Sequence, residues 1–84
     1  MQATEKHVTI AAQLYDMRDR ARQLLGASYK PRMAELGAIL KMTAVRGKKQ
    51  PLTVAIEICA KRELIGMDMM MVMAAAVELT EPTP

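Results

Sequence analysis

"GMDMMMVMAAAVEL", residues 66–79, is the stretch from which the fold of this chain is read. Between Met69 and Val77 no polar side chain interrupts it, so a helix over these residues has no face suited to water. A surface helix needs one apolar stripe, whereas a helix apolar all round has to be covered from several sides. Met and Ala favour helix, and the alternation of β-branched residues that marks strands is missing from the chain. The run is also far below the roughly 20 apolar residues that span a bilayer. The segment is therefore expected to be the hub of an all-α bundle, and the remaining residues should supply its cover.

That cover is scarce. An 84-residue chain has room for one small core and one domain. Three arrangements would bury the hub: a homodimer packing it against its two-fold mate, a monomer core enclosed by three helices, or a flexible methionine surface covered by a partner. The dimer is the preferred reading, with Met67, Met69, Met70, Met73, Ala74 and Val77 as the core or interface residues.

The other helices follow from stripes and punctuation. Ile10, Leu14, Met17, Ala21 and Leu24 are spaced by four, three, four and three, one face of a helix over 4–25. Thr4 is a candidate N-cap with Glu5 in the favourable first turn, and Gly26 a natural stop. Pro31 suits an early helical position and disfavours helix at Lys30, which predicts a second helix over 31–46. Its stripe is Met33, Leu36, Leu40 and Thr43, with Ile39 beside it, and Gly37 hints at a closely packed neighbour. GKKQP, residues 47–51, is a loop. Pro51 then opens a third helix over 51–65, with Leu52, Ala55, Ile56, Cys59 and Glu63 at helical spacing and Val54 and Ile58 widening the apolar face. Gly66 breaks it and Asp68 caps a fourth helix over 68–80; one bent helix over 51–80 is the alternative. Residues 81–84, with Pro82 and Pro84, form a frayed tail.

The composition excludes several functions. A single cysteine, Cys59, cannot form an internal disulfide and reads as a buried thiol in a reducing compartment. With no export signal and no membrane span in the sequence, the expected location is the cytoplasm. The lone histidine, His7, has no partner for a metal site or a catalytic dyad, and Ser28, the only serine, has no base beside it. No glycine-rich phosphate loop occurs. No catalytic residue, cofactor or metal site is expected.

Charge is more informative. The net charge is +3, but residues 18–49 hold nine basic residues against Asp19 and Glu35, a net of +7, and the remainder carries −4. Arg18, Arg20, Arg22, Lys30, Arg32, Lys48 and Lys49 form a candidate basic contact surface, and Tyr29 is the one aromatic able to anchor a partner within it. The helix–turn–helix pattern over 53–77 is a poor DNA reader, because its second helix offers methionine and alanine where polar side chains must reach base edges. Non-specific nucleic-acid binding by the same basic patch is the alternative to a protein partner.

RMAELGAIL, residues 32–40, and AAAVELTEP, residues 74–82, resemble small uncharacterised helical proteins encoded in the accessory regions of Mu-like transposable phages and their prophages. The two stretches cover about a fifth of the chain. The resemblance implies a small cytoplasmic protein made after infection that binds a host factor: a defence system, pilus machinery or a transcription regulator. It assigns no functional residues. Taken together, the expectation is a non-enzymatic accessory protein that inhibits or redirects a host protein through its basic helical surface.

Overall fold

Among the described residues four α-helices pack together in the order α1 (Glu5–Leu25), α2 (Tyr29–Gly47), α3 (Pro51–Lys61) and α4 (Gly66–Thr80), with a single 3-10 turn at Gly26–Ser28. The computed structural model describes the backbone of residues 5–80 and the side chains of residues 12–80. The Thr4 cap, the first-turn side chain of Glu5, the side chains of His7 and Ile10, and the 81–84 tail lie outside the described residues. No strand occurs among the described residues.

The methionine-rich segment is the hub. α4 packs against each of the other three helices. Val72, Met73, Ala74, Ala75, Ala76 and Val77 are six consecutive buried residues, which at about 100° per residue means cover on every side. Met73, Ala74 and Val77 are thus core positions within one chain. Met67, Met69 and Met70 are only half-buried, in the first turns of α4.

Small residues make this enclosure possible. Ala21 of α1, Gly37 and Ala44 of α2 and Ala55 of α3 are all buried, with the alanines Ala74–Ala76 at the centre. Backbones can then approach closely without large side chains between them. At Gly37 an added Cβ would lie 3.7 Å from Leu79 Cδ2, so the neighbour anticipated from this glycine is the end of α4.

The buried faces of α2 and α3 differ from the predicted stripes. On α2 the buried residues are Tyr29, Met33, Gly37, Leu40 and Ala44, while Ile39 is 56% exposed and Thr43 bonds back to the Ile39 carbonyl from an exposed position. On α3 Val54 and Ala55 are buried and Ile56 is 54% exposed. In both helices apolar residues lie on two faces: the buried one on α2 combines Tyr29, Met33 and Leu40 with the small Gly37 and Ala44, and that on α3 carries Val54 and Ala55. On α1 Ala21 is buried but Leu24 is exposed; Leu25 packs on the core in its place.

The helix ends shift for local reasons. α2 begins at Tyr29, two residues before Pro31, and includes Lys30. Pro31 is the third residue of the helix, where a backbone N–H has no intrahelical partner to lose. α3 ends at Lys61, so Glu63 is not on its stripe. Glu63 instead adopts a left-handed φ of 52°, and Leu64 N–H donates to the Cys59 carbonyl over 2.9 Å. Lys48, φ 53°, terminates α2 in the same way, with Lys49 N–H donating to the Ala44 carbonyl over 2.9 Å. Both are Schellman closures built without glycine at the left-handed position. The chain breaks after Lys61 and restarts at Gly66, φ 58°, so residues 51–80 are two helices. Asp68 lies within the first turn of α4 rather than capping it, where a negative charge still suits the positive end of the helix dipole.

Candidate functional site

The end of α1 and the start of α2 meet the last turns of α4. Gly26 turns the chain there with a φ of 54°, open to glycine without strain. The turn sets Tyr29 on the buried stripe of α2, only 7% exposed. Its hydroxyl donates to Glu78 Oε1 over 2.6 Å. Arg22 Nη2 donates to the same oxygen over 3.3 Å, and the guanidinium lies 5.3 Å from the Tyr29 ring centroid. One carboxylate thus joins α1, α2 and α4.

Burial, with the hydrogen bond to Glu78 and its negative charge, pushes the Tyr29 phenol up to about 12. Arg22 opposes the shift but does not cancel it. At neutral pH the phenol is a fixed donor, not a base or a nucleophile. Beside the cluster lies an open groove of about 630 Å³, walled by Arg22, Tyr29, Lys30, Met33 and Glu78 among others. It presents one exposed lysine and one arginine shared with a carboxylate.

The eight predicted contact residues do not share one face. Arg22, Tyr29 and Lys30 border this groove. Arg20 borders another, with Asp16, Met17, Met69 and Met70. Lys30 and Arg32 are two residues apart on one helix, which separates them by about 200° around its axis. Arg18 is held against its own helix, its Nε 3.5 Å from Asp19 and its guanidinium 4.9 Å from the Tyr15 ring centroid. Lys48 and Lys49 sit at the other end of α2, about 24 Å from Arg32 along the helix at ~1.5 Å per residue. Lys49 donates to both oxygens of Glu57 at 2.9 Å. Tyr29 is no exposed anchor, because the early start of α2 turns its ring inward.

Glu78 was not visible from the sequence as part of this locus. Its partners are 49 and 56 residues away, and alone it reads as a solvated helix position. Tyr29 did leave a signal: the spacing 29, 33, 37, 40, 44 is a helical stripe once the helix starts before Pro31.

Cys59 is half-buried, and burial pushes its thiol above the usual range. Among the described residues no three His, Cys, Asp or Glu side chains are placed to hold a metal ion, and no helix is long and apolar enough to cross a membrane. α4, which would have to enter a DNA groove in a helix–turn–helix reading, is covered on all sides from Val72 to Val77. No family model matches the chain, and no curated protein or solved structure matches it.

Proposed function

We propose that this chain is a non-enzymatic accessory protein that binds and modulates another protein through cationic side chains around the α1–α2 junction. The observation that supports this is the exposure of Arg20, Lys30 and Arg32, none of which forms an ion pair among the described residues; since they lie on different faces, a partner meeting all three would reach around the junction. Arg22 and Lys49 are already matched by Glu78 and Glu57, which narrows the contact set. An acidic surface on the partner is the chemistry that fits. The resemblance to accessory proteins of Mu-like phages makes a host cytoplasmic protein the first partner to test.

Affinity capture from host lysate, with nuclease-treated controls and an Arg20→Glu, Lys30→Glu, Arg32→Glu variant alongside, tests the proposal. A protein retained by the parent chain after nuclease treatment and lost by the variant supports it. Equal retention by both overturns it. Nucleic-acid binding by the same cations is the competing reading, and duplex DNA titrated at rising salt separates the two. Useful affinity near physiological salt with a steep salt slope would favour DNA. A homodimer is proposed with it, through the half-buried Met67, Met69 and Met70 at the open end of α4; in solution it would have twice the 9.3 kDa chain mass.

A further inference from the structure

A second groove, of about 690 Å³, opens between α2, the end of α3 and the first half of α4. Leu36, Leu40, Ile58, Leu64 and Met71 line it with apolar surface, and Lys61 and Arg62 stand in its wall with Asp68 as the one acid. Ile39 also borders it. From Ile39 the exposed strip of α2 continues at spacings of three and four to Met42 and Arg46, which places the three on one helix face. Ile39 and Met42 are each more than half exposed. Arg46, Lys61 and Arg62 form no ion pair among the described residues.

We propose that this groove docks an acidic amphipathic helix of another protein. Aliphatic side chains at i, i+4 and i+7 of that helix would seat along Ile39, Leu36 and Met71, with its Asp and Glu side chains facing Arg46, Lys61 and Arg62. Apolar lining with polar groups at the margin is the pattern that receives a helix in a groove. Met71 and Met42 can adjust to the anchors they meet.

Charge selects the occupant. Lys61 and Arg62 against Asp68 leave the groove lining with a net +1, and Arg46 on the adjoining strip of α2 adds a further positive charge. A second copy docked groove to groove would bring an equal positive charge against it, and a basic helix would fare no better. An anionic bilayer has the right sign, but its surface is broad where the site is concave. None of these residues belongs to the contact set proposed around the α1–α2 junction, so the two surfaces can fail independently.

The test is fluorescence anisotropy with a labelled synthetic helical peptide carrying leucine at three successive helical turns and glutamate on both flanks. A twin peptide with lysine for glutamate and vesicles of phosphatidylcholine with phosphatidylserine serve as comparisons. The acidic peptide should bind with a Kd of micromolar order, more weakly as salt rises, and the lysine twin should not bind. Ile39→Glu in α2 and Arg62→Glu in the turn after α3, both at exposed positions, should each weaken binding roughly tenfold or more without changing the helical circular dichroism. Arg20→Glu should leave it unchanged. Four results would each overturn the proposal: no saturable binding, equal binding of both peptides, binding to vesicles alone, or a homodimer that Ile39→Glu dissolves.

Discussion

The Tyr29 hydroxyl lies 2.6 Å from Glu78 Oε1 and bridges two helices whose residues are 49 apart in sequence. Tyr29→Phe removes that bond and little volume. Glu78 retains Arg22, which limits the loss, so the expected cost is about 1 kcal/mol. In a chain of this size that lowers Tm by roughly 4–8 °C, a shift that thermal denaturation followed by circular dichroism resolves. No change in Tm would mean that water serves Glu78 equally well.

The same pair makes stability depend on alkaline pH. The folded chain holds the Tyr29 phenol at about 12, above its ordinary value of 10.0. Folding therefore favours the neutral phenol. The stability it contributes is fully present below pH 10 and is lost as pH rises towards 12. Tyr29→Phe should flatten that part of the stability profile, and the highest-pH step of the phenolate absorbance titration should vanish with it. A highest-pH step that survives the substitution would show that it does not belong to Tyr29.

Helix count and order were legible because Gly26, the GKKQP loop with Pro51, and Gly66 punctuate the chain where helices stop or start. The hub was legible too, since no face of residues 69–77 suits water. Which face of α2 and α3 turns inward was not. Ile39 and Ile56 outrank Gly37 and Ala55 in hydrophobicity, yet the latter are buried, on faces that also carry Tyr29, Met33, Leu40 and Val54. That preference belongs to the pair of helices and cannot be read from either one. The basic patch was legible as composition only: its members are near in sequence but spread around two helices and along the length of α2.

Lys48 shows a glycine displaced by one residue from where the backbone needs it. Lys48 holds a φ of 53° while Gly47, inside α2, has no such requirement. A left-handed non-glycine residue costs roughly 1 kcal/mol or more, and glycine within a helix costs about 1 kcal/mol against alanine. An added Cβ at Gly47 meets only the Lys49 side chain, at 3.8 Å. The double variant Gly47→Ala, Lys48→Gly should gain about 1–2 kcal/mol in urea denaturation, from these two contributions. A loss would show that Lys48 makes a stabilising interaction that offsets its strain.

Gly37→Ala should also be tolerated. Its new methyl group meets Leu79 Cδ2 at 3.7 Å, an ordinary van der Waals separation. The helix-propensity gain of up to about 1 kcal/mol should therefore appear as an unchanged or slightly raised Tm. Gly37→Leu, with no room beneath Leu79, should lower it by the roughly 1–3 kcal/mol of an overpacked core. If alanine were as harmful as leucine, α2 and α4 would have to lie closer than the structure has them.

The methionines of α4 divide by their position along the helix, and paired substitutions expose the division. Met73 is buried in the six-residue core run, whereas Met70 is half-buried beside Met17 and Arg20. A carboxylate at position 73 would be buried within the apolar core, so Met73→Glu should unfold the chain and erase its helical circular dichroism. A carboxylate at position 70 reaches solvent and can approach Arg20. Met70→Glu should therefore keep its helix content. If two copies meet across Met67, Met69 and Met70, light scattering should show the parent at twice 9.3 kDa and Met70→Glu at 9.3 kDa. A parent mass of 9.3 kDa would remove the dimer, and the enclosed run from Val72 to Val77 would then be the whole purpose of the helix.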